Sequence, residues 1–334
     1  LMYLALNQQH PELSKPEVRQ AFKYLIDYEG MRDSFLKGQY TIHQNFLPAT
    51  YLGASEENPF SYNIEKAKEL LAAAGVENLE IEIGVREAQE RIEIGQSFQN
   101  AAAQAGITVN ITVGTAKQIL ARYRARELDV YLGAWGPDYP DPHTNAGTFA
   151  YNPVNTDEAG ATGLLAWRNA WDTGGLTSKV EAAVVEGDRE VRAQMYKDIQ
   201  AEFRDIAPFA VLFQKIEQTG RNESVQNLNL GGAITAVSYW PVTKEVALAE
   251  QNNGGRQKAP LELWIRATFL TLGSIIVTML GLMFITFVIG RVMPIDPVLA
   301  IVGERAAQST YDAVYLQLGL DKPLIVQFFY YIWD

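Results

Sequence analysis

Residues 79–83 read Leu-Glu-Ile-Glu-Ile, a strict alternation of apolar and acidic side chains. Successive side chains of a strand point to opposite faces, so this pattern predicts a β-strand with one buried face. A helix is predicted next, over about residues 87–105, and residues 107–113 alternate again. A basic helix near residues 116–126 leads to an apolar strand at 128–135. Strands joined by helices in this order favour a parallel arrangement with helices on its faces, which predicts an α/β lobe.

Further helices are predicted on both sides of this region. Apolar residues within 18–26 recur at three- and four-residue intervals, the spacing of one helical face. Asn63 is expected to cap a second helix, and Gly75 to close it in the left-handed conformation. A pair of helices is predicted within residues 176–204, followed by a short apolar strand at 209–213. These elements extend the α/β pattern across most of the chain.

Composition and charge exclude several classes of function. The 334 residues include 39 acidic and 28 basic ones, a net charge of −11, without any Lys/Arg-rich run. Nucleic-acid binding needs a clustered basic surface that displaces counterions, so it is not expected here. Cysteine is absent, which excludes disulfides, thiol nucleophiles and cysteine-based zinc sites. The opening residues, Leu-Met-Tyr-Leu, lack the pattern of a signal peptide, and none is expected within this sequence.

A single stretch near the end of the sequence has the composition of a membrane helix. Residues 267–290 carry no formal charge, and a helix of that length reaches about 36 Å, enough to cross a hydrocarbon core of about 30 Å. Arg266 and Arg291 flank it as interfacial anchors do. The alternative, a buried core helix, is disfavoured by the length. Residues 246–260, rich in Gly and Asn, are predicted to be a flexible linker.

Three segments in order resemble one family of transport proteins. They are PEVRQAF at 16–22, YNIEKAKELL at 62–71, and WGPDYPDP at 135–142. The pattern resembles the dipeptide/oligopeptide solute-binding proteins, family 5, that serve ABC importers. The resemblance implies the second lobe of a type II periplasmic-binding-protein clamshell for residues 1–210. It also implies that residues 211–245 return into a first lobe that this sequence does not contain.

The tail resembles the start of the permeases that partner such binding proteins. The matching segments are RVMPIDPVLA at 291–300, GER at 303–305 and LGLDKP at 318–323, although Ile295 replaces the usual Gly. The resemblance makes residues 261–334 a permease segment with one transmembrane helix and a short helical tail. A binding protein works outside the membrane, whereas the permease resemblance puts the amino-terminal flank of this helix inside. Our hypothesis is therefore a truncated or frame-joined product.

The resemblance also points to ligand-binding residues. The aspartate at the position of Asp138 pairs with the ligand's α-amino group in the resembling family. A carboxylate in a closed, poorly hydrated cleft suits an ammonium, because charge-assisted hydrogen bonds strengthen as water leaves. Trp135 could lie along the ligand or fill the base of the lobe, and Tyr139 and Asn145 are candidate lining residues. The alternative for Asp138 is a turn-capping role, since Asp is common in Pro-rich turns.

Two other functions stay open at this point. Asp138, Asp141 and His143 form a D-x-x-D-x-H cluster that could hold a divalent ion, which would suit a membrane-tethered metal-dependent hydrolase. Pro140 and Pro142 stiffen that segment and disfavour a metal site. A membrane-tethered ligand sensor, signalling through the single helix, is the third possibility.

The leading prediction is non-catalytic solute capture for an ABC importer. G-x-S-x-G, H-E-x-x-H and P-loop motifs are absent, so neither an enzyme nor a cofactor is expected, and the ATPase must be a separate subunit. The implied partners are a peptide or other amine-bearing solute, a second permease subunit, separate ATPase subunits and membrane lipid. The implied location is the bacterial cell envelope, with a periplasmic binding domain and an inner-membrane segment.

Overall fold

The computed structural model describes residues 1–229, 238–244, 278–279, 281–283, 285–287, 296–303, 306, 308–324 and 326–328. The chain divides into two compact units. One is formed mainly by the residues up to Arg221, and the other contains most of the described residues after Pro241.

The first unit is built on a six-stranded sheet with the strand order β2-β6-β1-β5-β3-β4. Its elements, in chain order, are β1 (Met2–Leu6), α1 (Pro16–Tyr24), α2 (Tyr28–Asp33), β2 (Tyr40–Ile42), α3 (Ile64–Ala73), β3 (Glu80–Arg86), α4 (Gln89–Gln104), β4 (Thr108–Gly114), α5 (Ala116–Arg124), β5 (Val130–Ala134), α6 (His143–Phe149), α7 (Leu165–Arg168), α8 (Leu176–Val185), α9 (Arg189–Ile206) and β6 (Phe209–Lys215). Every helix and strand predicted for residues 18–213 is present, with ends shifted by a few residues.

The sheet contains both parallel and antiparallel pairs. β3 runs parallel to β4 and to β5, with Ile83 opposite Ile111 and Val130. The predicted parallel arrangement is therefore confirmed. β1 runs antiparallel to β5 and β6, and β2 antiparallel to β6, so the sheet as a whole is mixed.

Helices α4 and α5 pack on opposite faces of β3. A Cβ added to Gly95 of α4 would lie 3.5 Å from the side chain of Val85, whereas Arg122 of α5 donates to Glu82 at 2.7 Å. Residues 82 and 85 are three apart in the strand, so their side chains point to opposite faces of the sheet. The predicted sheet with helical cover on both faces is thus present around β3.

β1 was not predicted, although it lies inside the sheet. Its sequence, MYLAL, is an apolar run without alternation, and all five residues are buried. A strand covered on both faces has no reason to alternate, so periodicity cannot distinguish it from other short apolar segments.

The predicted ends of α3 are confirmed. The Asn63 side chain accepts a hydrogen bond from the backbone N–H of Lys66 at 2.9 Å, and Gly75 has a φ of +63° just past the helix. An unpredicted capping box begins α5, where the side chains of Thr115 and Gln118 each bond the other's backbone N–H. These contacts satisfy amide groups that have no partner within the helix.

An aromatic cluster joins the sheet to the helices near the end of β5. Phe149 of α6 is fully buried, and its ring centroid lies 5.3 Å from that of Tyr3 and 5.4 Å from that of Phe209. Phe203 of α9 stacks on Phe209 at 5.5 Å. The cluster therefore fixes α6 and α9 against the central strands, and these two helices carry the candidate site.

Less is described beyond residue 221. β7 (Val225–Gln226) and β8 (Thr243–Lys244) form an antiparallel pair, and two short helices span Pro297–Val302 and Gln308–Gln317. The predicted linker at 246–260 lies outside the described residues, as does most of the predicted membrane helix at 267–290. Within the part of the chain that the structure describes, helices of the length and apolarity required to cross a bilayer are absent.

Candidate functional site

The parallel strands β3, β4 and β5 end at the same edge of the sheet. The chain leaves β5 at Ala134 and forms a turn over residues 135–142 before α6 begins. We call this segment the β5–α6 turn. In open α/β sheets, ligands bind outside the carboxyl ends of the parallel strands, which makes this turn the candidate site.

Two of the four predicted site residues lie at the surface of the turn. Asp138 is exposed, and its backbone N–H donates to the Thr144 hydroxyl at 3.2 Å. Tyr139 is 41% exposed, and its carbonyl oxygen accepts a hydrogen bond from the Tyr51 hydroxyl at 3.2 Å. Both residues are exposed at the surface of the turn.

The other two lie beneath that surface. Trp135 is 3% exposed, and its ring packs edge-on against Phe149. Asn145 has no exposed area, and its amide donates to the Phe46 carbonyl at 2.5 Å. A solute at the surface does not reach either side chain in this conformation, because both are buried.

The exposure of Asp138 differs from the environment expected for it. The resemblance implied a carboxylate in a closed, poorly hydrated cleft, whereas here the side chain lies at the surface. A closed cleft needs a second wall facing the β5–α6 turn.

Asp141 makes a bidentate ion pair with Arg192 of α9. Its two carboxylate oxygens accept hydrogen bonds from the Arg192 guanidinium at 2.8 and 2.9 Å, and one of them also accepts from the His143 backbone N–H at 2.9 Å. The hydrogen bond from Arg192 lowers the pKa of the Asp141 carboxyl, although partial burial opposes this. Asp141 is therefore held as an anion by a residue of α9.

This geometry disfavours the metal-dependent hydrolase. Both oxygens of Asp141 are engaged by Arg192, whose positive charge also opposes a bound cation. Among the residues that the structure describes, His, Asp and Glu side chains do not form a group of three able to hold a metal ion. Within the D-x-x-D-x-H segment, Asp141 thus serves the ion pair that anchors the turn.

A loop over residues 43–62 forms the neighbouring surface. The Asn45 amide donates to the Ser55 and Glu57 carbonyls at 3.0 and 2.8 Å, which closes the loop on itself. Arg204 of α9 donates to the Asn45 side chain at 2.5 Å and forms an ion pair with Glu57. The loop is consequently fixed on α9 by a buried hydrogen bond and by an ion pair whose carboxylate is exposed.

The loop, the turn and the start of α9 line a concave surface that encloses a volume of about 350 Å³. Its lining residues are Thr50, Tyr51, Leu52, Pro140, Asp141, Pro142, Arg189 and Arg192. Sequence reasoning missed this surface because its segments are up to 142 residues apart in the chain, and a local pattern cannot pair them.

Arg86 is a further residue that sequence reasoning missed. It is the last residue of β3, and the register of Val85 opposite Leu132 brings it to the same sheet edge as the start of the β5–α6 turn. A local signal existed, because a cation lies three residues after the alternating segment 79–83, near the sheet edge at which ligands bind in open α/β sheets.

Comparison with known proteins identifies the region that carries this site. Residues 1–157 match the family described as bacterial extracellular solute-binding proteins, family 5 Middle. This region is similar to that family over its whole matched length. Residues 265–334 match the amino-terminal part of the membrane component of binding-protein-dependent transport systems. Both resemblances found in the sequence are therefore confirmed.

Curated relatives of the solute-binding region carry the names of peptide-binding proteins. Di/tripeptide-binding protein 1 of Pseudomonas aeruginosa is 27% identical over 215 residues, covering 62% of this chain and 38% of the relative. The dipeptide-binding protein of Escherichia coli is 24% identical over 217 residues, covering 63% and 39%. The chain thus spans about four-tenths of the length of these relatives. Their names describe binding proteins, in agreement with the prediction of a non-catalytic protein.

Solved structures show the same fold. HbpA2 from Haemophilus parasuis superposes with a TM-score of 0.64 at 23% identity, covering 74% of this chain and 48% of that chain. A dipeptide-binding protein from Pseudoalteromonas sp. SM9913, in complex with Met-Leu, gives a TM-score of 0.61 at 21% identity, covering 73% and 48%. The α/β fold of the solute-binding region is therefore that of peptide-binding protein lobes.

Proposed function

We propose that the solute-binding region captures a small solute with a positively charged amino group, most simply a peptide, for an ABC-type importer. The observation that carries this proposal is the exposed carboxylate of Asp138 at the carboxyl edge of the parallel strands. The match of residues 1–157 to the family and the names of the curated relatives support the same function.

The chemistry of the edge suits a zwitterion. Asp138 provides an anion for an ammonium group, and Arg86 provides a cation at the same edge. Tyr139 adds a partly exposed aromatic side chain with a hydroxyl group. Asp138 is the proposed ammonium anchor and Arg86 the proposed partner of the opposite charge. Trp135 and Asn145 support the surface from below.

The proposal includes a second wall. Residues 1–210 act as the second lobe of a clamshell, and residues 211–245 lead into the first lobe. Closure would exclude water from the ammonium–carboxylate pair and strengthen it, and opening about the hinge would release the solute. Bond making or breaking is not part of this function.

The carboxyl-terminal part gives the proposed context. Residues 246–260 act as a linker, and residues 261–334 as a permease segment with a transmembrane helix at 267–290. The proposed partners are a second permease subunit, separate ATPase subunits and membrane lipid, in a bacterial cell envelope with the binding domain in the periplasm. The match of residues 265–334 to the membrane component supports this context.

Saturation-transfer NMR with the dipeptide Met-Leu tests the function, because it detects binding in the millimolar range. We expect a signal with the wild-type chain, a loss of at least about tenfold in affinity with Asp138→Asn, and no signal with N-acetylated Met-Leu. The control is Asp172→Asn, which changes an exposed carboxylate outside the turn. Equal affinities for the wild-type and Asp138→Asn chains would contradict the role of Asp138.

A further inference from the structure

Arg192 lines the concave surface beside the β5–α6 turn, but its charge is paired within the protein. Its side chain is 16% exposed, and it reaches the β5–α6 turn from the first turn of α9. We propose that Arg192 is a positioning residue for solute binding, which fixes the backbone that carries Asp138 without contacting the solute. This inference rests on the proposed function and names the residue that keeps its anchor in place.

Three nitrogens of the guanidinium group connect three parts of the fold. Nη1 and Nη2 donate to the two oxygens of Asp141 at 2.8 and 2.9 Å, and Nε donates to the carbonyl oxygen of Ala183 in α8 at 2.9 Å. The bidentate geometry fixes the direction as well as the distance of the contact. The turn is therefore joined to α8 and α9 at once.

From Asp141 the constraint reaches Asp138 through two short steps. The Asp141 carbonyl oxygen accepts from the backbone N–H of Thr144 at 3.1 Å, and its carboxylate accepts from the backbone N–H of His143. Thr144 in turn accepts from the backbone N–H of Asp138 through its hydroxyl at 3.2 Å. Release of Asp141 would free the start of α6 and, with it, the hydrogen bond that holds Asp138.

α9 also fixes the opposite side of the surface. The Gln200 amide donates to the Gly53 carbonyl at 2.6 Å, and a Cβ on Gly53 would lie 2.6 Å from the Ala193 carbonyl oxygen. Tyr51, two residues before Gly53, donates to the Tyr139 carbonyl. Loop and turn thus share one 18-residue helix as their support, and Arg192 is its contact with the turn.

A solute-binding role for the guanidinium itself is disfavoured. Its positive charge is paired with Asp141, and its donors are directed at protein acceptors. Arg189 lines the same concave surface from the same helix, and it is exposed. Arg189 is therefore a matched control, because its removal changes the charge of that surface without affecting Asp141.

Selective ¹⁵N labelling of histidine provides a direct probe. The chain contains three histidines, His10, His43 and His143, so the amide spectrum holds three signals. The His143 N–H donates to the Asp141 carboxylate, and its shift reports the protonation of that group. Arg192 lowers the pKa of Asp141, so we expect Arg192→Gln to move the midpoint of the His143 signal to higher pH. Arg192→Lys should give an intermediate midpoint, and Arg189→Gln should leave it unchanged.

The same variants are then titrated with Met-Leu. We expect Arg192→Gln to weaken binding by about tenfold and Arg189→Gln by less than about twofold, as expected for loss of a charge-assisted pair. An unchanged His143 midpoint in Arg192→Gln, or an unchanged affinity despite a shifted midpoint, would overturn the positioning role. Failure of Asp138→Asn to affect affinity would instead overturn the proposed function, so the two failures are distinguishable.

Discussion

The amino group of Lys23 donates a hydrogen bond to the carbonyl oxygen of Arg204 in the last turn of α9. Only 2% of Lys23 is exposed, and its amino group also lies 5.1 Å from the centre of the Phe60 ring. A cation at the carboxyl end of a helix interacts favourably with the unpaired carbonyls there. The contact joins α1 to α9 and to the loop over residues 43–62, at the cost of burying an ionisable group.

The first prediction concerns the pH dependence of stability. Burial, assisted by the charges of Arg19 and Arg204 and opposed by Asp205, lowers the pKa of Lys23 from 10.5 to about 7. Between these values the unfolded chain binds the proton and the folded chain does not, so the free energy of unfolding rises with pH. In Lys23→Met this contribution is absent. In urea unfolding between pH 7 and 10, the free energy of unfolding of the variant should fall relative to that of the wild type by up to about 1.4 kcal/mol per pH unit.

The matched control is Lys66→Met, which removes an exposed lysine on α3. Its stability relative to the wild type should not depend on pH over the same range. A pH-independent difference between Lys23→Met and the wild type would show that the buried amine keeps its ordinary proton affinity.

The second prediction tests the packing of the loop on α9. Gly53→Ala introduces a Cβ at 2.6 Å from the Ala193 carbonyl oxygen, in a residue with a φ of +72°. Strain and overlap should together reduce the free energy of unfolding by about 2–4 kcal/mol. Gly75→Ala is the control, because Gly75 also has a positive φ but open space around it. It should cost about 1 kcal/mol, and equal losses in the two variants would contradict close packing at Gly53.

The third prediction concerns the strength and salt dependence of binding. Asp138 is exposed in this structure, so the ammonium of a dipeptide bound to it stays in contact with water, and we expect a Kd of about 1 mM or weaker. Screening should weaken it further as the salt concentration rises from about 0.01 to about 1 M. Titration calorimetry at both concentrations measures the effect. Micromolar affinity without salt dependence would show that Asp138 is already shielded in this chain.

The fourth prediction concerns the membrane segment. We expect the full chain to sediment with liposomes and to resist alkaline extraction, because residues 267–290 are apolar and long enough to span the bilayer. A chain ending at residue 245 should stay in the supernatant. Alkaline extraction of the full chain would count against a transmembrane helix.

The sequence predicted the elements that carry their own pattern. Alternation identified β3 and β4, and helical spacing with a cap identified α3. The prediction failed for β1, whose apolar residues are buried on both faces, and for β2, which has three residues. Both strands exist because partners distant in the chain complete their hydrogen bonds.

The candidate site was predicted in part for the same reason. Asp138 and Tyr139 lie in a segment whose motif is continuous, and the structure places both at the surface. Trp135 belongs to the same motif, but its burial depends on Phe149 and on the chain's first strand. The role of Arg192 could not be predicted from the residues around it, because it depends on contact with Asp141, 51 residues away in the chain.

The position of β1 sets an order of events during synthesis. This strand pairs on one side with residues 130–134 and on the other with residues 209–213, whereas β3, β4 and β5 pair among themselves within residues 80–134. Contacts between distant residues require costly loop closure and form slowly. More than 200 residues must therefore be synthesised before β6 can pair with β1 and β2 and complete the sheet. Until then the emerging chain exposes apolar strands to chaperones and to aggregation.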